Sequence, residues 1–198
     1  MTYTNSALSV ILASTSVYRR ELLARLRIPF QTYAPEIDES ALQDETPSCT
    51  ALRLARAKAQ AALAKHPASL IIGSDQVAVC EGITLPKPMT HEKAVEQLSH
   101  ASGKAVNFLT AVALCNSDTR ATHAEVVQTQ VRFRTLSQEE IERYLRAEPA
   151  YDCAGSAKAE GLGITLASSI ESTDPTALIG LPLIALSRML RDQGVLLP

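Results

Sequence analysis

The sequence predicts an α/β fold, and three observations carry that prediction. Short apolar runs alternate with stretches of helical periodicity along the chain. Leu70 to Cys80 reads as the strongest strand. Ala105 to Cys115 and Ala124 to Arg134 read as two long strands paired as a hairpin. At 198 residues the chain is long enough for a real hydrophobic core, and residues 1–198 read as a single domain.

The elements follow in order. Leu8 to Ala13 is a buried strand. Val17 to Arg27 carries apolar residues at Leu22, Leu23 and Leu26, a helical stripe with basic residues on the other face. Gln31 to Ala34 is a short strand. Thr50 to Lys65 is an alanine-rich helix stopped by His66-Pro67. Glu81-Gly82 turns the chain after the strongest strand, and Thr90 caps a helix running to about Ala101. Ser137-Gln138-Glu139-Glu140 is a capping box opening a helix to about Arg146. Asp152 to Gly163 is rich in Gly, Ser and Ala and reads as a loop. Pro182 suits the first turn of a last helix, and Gly194 suits its C′ position.

Composition excludes several function classes. A net charge of −2 lacks the basic surplus of a nucleic-acid binder. With no Trp and 4% aromatic residues, a stacking platform for single strands is not expected. Cys49, Cys80, Cys115 and Cys153 lie more than thirty residues apart, so no close-spaced zinc pair forms and they read as reduced thiols. Histidines 66, 91, 100 and 123 have no metal-ligand spacing. No apolar stretch is long enough to span a bilayer, and the N-terminus lacks the pattern of a signal peptide. The expected location is the cytoplasm, with neither membrane nor nucleic-acid polymer as partner.

Four segments place polar groups at strand ends, where open α/β sheets bind ligands. Ser14-Thr15-Ser16 leads from a strand into a helix carrying Arg19 and Arg20 in its first turn. Free N–H groups at that helix start, two hydroxyls and a bidentate guanidinium suit a phosphate; the plainer reading is a serine cap with solvated arginines. Glu36, Asp38 and Glu39 crowd one loop. Oxygen ligands suit Mg²⁺ or Mn²⁺, although alone these residues read as a solvated acidic loop. Gly73-Ser74-Asp75-Gln76 is a polar break in an apolar strand, where a carboxylate must be paired, metal-bound or catalytic. Lys58 lies on the alanine-rich helix, equally readable as a surface residue, and Lys87 sits between two prolines. Neither a P-loop nor a Gly-x-Gly-x-x-Gly after the first strand is present.

Together these segments resemble the Maf family of nucleotide pyrophosphatases. The resemblance runs from Ser14-Thr15-Ser16 and Arg19 through Glu36-Ile37-Asp38-Glu39, Lys58, Gly73-Ser74-Asp75-Gln76 and Lys87-Pro88 to Cys153-Ala154-Gly155-Ser156 and Gly180-Leu181-Pro182. It implies an elongated mixed sheet with flanking helices, of the Maf and inosine-triphosphatase kind, with two lobes around a central cleft. It also implies divalent-metal-dependent hydrolysis of nucleoside triphosphates to monophosphate and pyrophosphate. Asp75 matches the general base, Ser14, Arg19, Lys58 and Lys87 match phosphate-binding positions, and Glu39 matches a carboxylate touching Mg²⁺ or Mn²⁺. Tyr18, Gln76 and Glu160 match specificity positions and look closer to the subgroup acting on 7-methyl-GTP than to that acting on dTTP and UTP. An aromatic face holds a positively charged methylated guanine by cation–π contact, and a carboxylate accepts from guanine N–H groups. A homodimer is implied by the family alone.

Val17 stands where the family usually has Pro, and Pro86 where it usually has Gly. The first loosens the expected helix start; the second bears on how Lys87 reaches phosphate. The alternatives are a dTTP/UTP or broad modified-nucleotide pyrophosphatase, and a nucleotide-binding division regulator.

Overall fold

The computed structural model describes residues 8–198. Residues 1–7, on which the reading of the N-terminus falls, lie outside the described residues.

Among the described residues seven strands form one mixed sheet. They are β1 (Ser9–Ala13), β2 (Gln31–Tyr33), β3 (Ser69–Cys80), β4 (Ile83–Thr84), β5 (Ala105–Asn116), β6 (Thr122–Phe133) and β7 (Ala167–Ser172). Their order is β2-β1-β3-β5-β6-β7, with β4 beside β3. β1 runs parallel to β2 and β3, and the other pairings are antiparallel. Among the described residues five α-helices flank the sheet: α1 (Val17–Ala24), α2 (Pro47–Ala61), α3 (His91–Ala101), α4 (Gln138–Ala147) and α5 (Leu183–Asp192). The long hairpin is the β5–β6 pair, in continuous register from Ala105↔Arg132 to Cys115↔Thr122.

Three strands have 12 residues each, so the sheet is about 40 Å long at ~3.3 Å per residue. One helical layer does not cover that length, and the chain builds different cores along it. Leu70 and Ile72 of β3 pack with Leu22 and Leu23 of α1 and Leu186 and Leu190 of α5. Ile71, pointing the other way by strand alternation, packs against Ala51, Ala55 and Ala59 of α2. Further along β3, Ala78 and Cys80 join Leu98 of α3 and Ile141 and Leu145 of α4. The expected two lobes are these two ends of one sheet.

The alanine stripe of α2 answers a steric demand. A Cβ on Gly73 would lie 2.1 Å from the carbonyl oxygen of Ala55, so only glycine beneath and small residues above permit this approach. The polar stretch at 73–76 does not break the strand as expected. β3 continues through it, paired to β5 at every step.

Helix ends follow local chemistry. α4 has its capping box, with Ser137 and Glu140 bonding reciprocally. Gly194, at φ 83, ends α5 as expected. Gly194 N–H donates to Arg191 O and Val195 N–H to Leu190 O, a Schellman pair. Three expected boundaries move. α1 stops at Ala24, since Arg27 takes a left-handed φ of 54°. α2 begins at Pro47 behind a Thr46 cap and ends at Ala61, because Thr-Pro sets the start earlier than the apolar period does. Pro182 sits at the N-cap of α5, not inside its first turn. Proline offers no side-chain cap, and Asp174 Oδ2 supplies it by accepting from Ile184 N–H at 2.6 Å. The expected loop from Asp152 contains one short 3₁₀ turn, Ala154–Ser156, and a second begins at Leu162. No helix among the described residues is long and apolar enough to cross a membrane.

Candidate active site

β1 pairs with β3 only as far as Ile72, and β4 pairs only with Val79 and Cys80. Between them one edge of β3 is left open where the lobes meet. A cleft of about 1130 Å³ occupies this junction. The nine residues that the family resemblance matched to roles line it, Ser14, Tyr18, Arg19, Glu39, Lys58, Asp75, Gln76, Lys87 and Glu160, whereas Arg20, Glu36 and Asp38 do not.

The end of β1 and the start of α1 form one wall. Ser14 is buried, and its Oγ accepts from Ser16 N–H at 3.1 Å. Ser16 caps α1 by accepting from Arg19 N–H at 3.3 Å. Arg19 Nε donates to Gly180 O at 2.9 Å, which commits one edge of the guanidinium and leaves its other nitrogens. Burial pulls this guanidinium below its ordinary value, while the Asp75 and Glu39 carboxylates push it back up. Val17 still opens the helix in place of the family's proline.

Asp75 lies mid-strand on the face that packs against α2, and Lys58 reaches it from that helix. Their Nζ–Oδ1 distance is 2.7 Å, and both side chains are nearly buried. The same ammonium lies 2.9 Å from Glu39 Oε1, whose side chain is 60% exposed and so can reorient toward a ligand. Lys58 is therefore a buried cation between two carboxylates, not a surface residue.

Lys87 faces the cleft from the opposite lobe. Its loop is held on several sides: Pro86 O accepts from Gln97 Nε2 at 2.8 Å, Leu85 O from Gly155 N–H at 3.1 Å, and Tyr151 O from Met89 N–H at 3.0 Å. Proline at 86 thus fits a clamped loop.

The far end of the cleft is aromatic and acidic. Tyr18 donates its hydroxyl to Asp152 Oδ2 at 3.2 Å, and the Lys158 ammonium lies 5.1 Å from the ring centroid. Burial, then the neighbouring Cys153 and Asp152, push the Tyr18 hydroxyl up. Burial also raises the Cys153 thiol to about 12. Glu160 is raised by burial and by Glu148 and Asp152, against the pull of Lys158. Glu160 is exposed at the surface yet lines the same cleft as Tyr18, and a carboxylate and an aromatic face in one cleft suit a polar, cationic ring.

Gln76 lines the cleft, but its amide nitrogen is taken. Nε2 donates to Ala177 O and Leu178 O, each at 3.0 Å, and lies 2.9 Å from Thr110 Oγ1. With Ser74, which donates to Gly180 O at 2.9 Å, it ties β3 to the 177–180 segment that also holds Arg19.

The sequence reading missed several residues here: Asp152 and Lys158 beside Tyr18, Arg53 and Glu45 beside the acidic loop, and the Gly180 carbonyl. Arg53 and Lys58 share one helix, and Thr46-Pro47 marked where that helix starts; the others lie in loops whose contacts span long sequence distances.

Two carboxylates face one cation, a donor set whose oxygens match a hard divalent metal. Among the described residues no group of three or more His, Cys, Asp or Glu side chains gathers to hold one. Mg²⁺ and Mn²⁺ in nucleotide sites need fewer protein ligands, since phosphate oxygens and waters complete the shell. Glu39 and Asp75 fit that requirement, and Lys58 already marks the position between them as one that favours a cation.

The family model described as Maf-like protein matches residues 9–193. A 7-methyl-GTP pyrophosphatase of Burkholderia pseudomallei is 58% identical over 188 residues, covering 93% of this chain and 87% of that protein. The 7-methyl-GTP pyrophosphatase of Albidiferax ferrireducens is 55% identical, covering 94% of each chain. That of Pseudomonas syringae pv. tomato is 56% identical, covering 96% of this chain and 99% of its own.

Proposed function

The chain belongs to the Maf family, and from that premise we propose that it is a nucleoside triphosphate pyrophosphatase acting on 7-methyl-GTP. It cleaves the bond between the α- and β-phosphates and releases monophosphate and pyrophosphate. The observation that carries this reading is the Glu39–Lys58–Asp75 cluster on the open edge of β3, facing the α1 N-terminus and Arg19 across one cleft. The names of the relatives support the substrate.

The residues take these roles. The triphosphate lies against Ser14, Arg19, Lys58 and Lys87, whose donors offset its charge. Asp75 takes a proton from a water whose oxygen bonds to the α-phosphorus, while the bridging P–O bond breaks and pyrophosphate leaves. An ion-paired carboxylate is a weak base. Substrate phosphates drawing Lys58 toward themselves free Asp75 at the moment it is needed. Glu39, with Asp75, would hold Mg²⁺ or Mn²⁺, which when bound neutralises charge on the leaving pyrophosphate. Tyr18 supplies a face for the base and Glu160 an acceptor for its N–H groups. Gln76 shapes the base pocket by fixing the 177–178 backbone, its amide being already engaged. Four unpaired cysteines support a cytoplasmic setting.

Pyrophosphate release by purified protein with Mg²⁺ or Mn²⁺, comparing 7-methyl-GTP, GTP, dTTP and UTP, tests the reading. The expected result is kcat/KM for 7-methyl-GTP at least about tenfold above the rest, or ~1.4 kcal/mol of discrimination. Preference for dTTP or UTP overturns the substrate. Tight nucleotide binding without turnover on any of them overturns the enzyme.

A further inference from the structure

Glu39 stands on a stretch without regular structure between β2 and α2, and although its exposed side chain pairs with Lys58, its backbone has no helix or strand to fix it. The restraint comes from α2, through a residue five positions before Lys58. Arg53 Nε lies 2.7 Å from Glu45 Oε1, and Arg53 Nη2 lies 2.8 Å from Glu45 Oε2. The same Nη2 donates to Ser40 O, the carbonyl next to Glu39, at 2.9 Å. Glu45 is fixed in turn, accepting from Thr50 Oγ1 at 3.0 Å and from Leu42 N–H at 3.2 Å. One planar guanidinium thus joins the helix, the end of the loop and the backbone beside Glu39. A lysine offers no rigid fork and does not span both partners.

We propose that Arg53 is the positioning residue for the Glu39 carboxylate, setting how tightly the enzyme holds its divalent metal while touching neither metal nor substrate. This rests on the reading of Glu39 as a metal-holding carboxylate. Partners that orient a ligand characteristically change metal affinity by about 10- to 100-fold. Arg53→Ala therefore raises the Mn²⁺ concentration for half-maximal turnover about tenfold, with kcat at saturating Mn²⁺ within about threefold of the parent. Arg53→Lys falls between the two, since the charge remains and the bridge does not.

The experiment pairs that titration with hydrogen exchange on residues 39–45 and with Glu39→Gln as reference. The proposal expects faster exchange confined to the loop in Arg53→Ala, a raised Mn²⁺ midpoint in Arg53→Ala and Glu39→Gln, and partial recovery in Arg53→Lys. An Arg53 variant with loosened loop amides and an unchanged Mn²⁺ midpoint overturns it, as does a loss of kcat that saturating Mn²⁺ does not restore. If Glu39→Gln itself leaves the midpoint unchanged, the metal-holding role of Glu39 fails first and takes the proposal with it. Should Arg53→Ala not fold, Arg53→Lys and Glu45→Gln carry the same comparison.

Discussion

Asp75 is paired with Lys58 before any ligand arrives, and that pairing shapes what a substitution at the proposed base does. Asp75→Asn keeps the size of the side chain and an acceptor oxygen toward Lys58 but removes the basic oxygen. kcat is expected to fall about 10²- to 10⁴-fold, the usual contribution of a general base, with nucleotide affinity largely kept. Single-turnover kinetics with equilibrium binding checks it, and near-normal kcat in the Asn variant rejects Asp75 as the base. Glu160 gives a pH prediction of definite sign. Burial, with Glu148 and Asp152, raises its carboxyl, so it takes up a proton above the ordinary carboxylate range. Ionised Glu160 therefore costs stability as pH rises through that window, while its value as an acceptor for a cationic base is lost as pH falls through it. KM for 7-methyl-GTP should rise on acidification, and Glu160→Gln should flatten that rise. Parallel KM–pH profiles for parent and variant would show that Glu160 does not read the base. Asp75 stood out in the sequence as a carboxylate inside an apolar strand, whereas Glu39 alone read as part of a solvated acidic loop and Tyr18 was marked only by the family resemblance. The engagement of Gln76 was not, because its partners are backbone carbonyls a hundred residues downstream, at Ala177 and Leu178.

At the scale of elements, the α2–β3 contact sets the geometry of the Lys58–Asp75 pair. Gly73 and Asp75 point the same way from β3, and α2 lies over both. Adding one methyl in Gly73→Ala places it 2.1 Å from Ala55 O and 2.7 Å from Ala59 N, both backbone atoms with nowhere to go. The helix must lift, carrying Lys58 away from Asp75. Overpacking of this kind costs about 1–3 kcal/mol, and turnover should fall more steeply than stability. Urea unfolding beside kcat checks it, and a variant with parental kcat would show that the close approach does not set the pair. The same contact explains what sequence patterns reveal about elements. Strands buried on a face announce themselves by apolar content, as β1, β3 and β5 do. β7 escaped because its residues Ala167–Ser172 are half-buried to exposed and its strand conformation comes from pairing with β6. β4 has two residues, too few for any period to register.

At the scale of the molecule, the cleft exists because β3, β5 and β6 outlast β1. Past the end of β1 the sheet runs on into a second lobe, and the open stretch of β3 becomes the floor between them. The proposed phosphate-binding residues are divided accordingly, with Ser14, Arg19 and Lys58 on one side and Lys87 on the other. On the proposed reading a bound triphosphate bridges the lobes, and part of its binding energy is expected to appear as resistance to their separation. A ligand at about 100 times its Kd stabilises the folded state by ~2.7 kcal/mol. Lys87 is exposed, so Lys87→Ala should leave the unliganded protein within about 0.5 kcal/mol of the parent. It should also weaken a nonhydrolysable α,β-methylene analogue of 7-methyl-GTP and shrink its thermal shift at fixed concentration. The comparison is a melting series with and without the analogue. An unchanged ligand-induced shift in Lys87→Ala would mean that the second lobe contributes no phosphate contact, and the triphosphate would then have to lie wholly against the β1–α1 wall and α2.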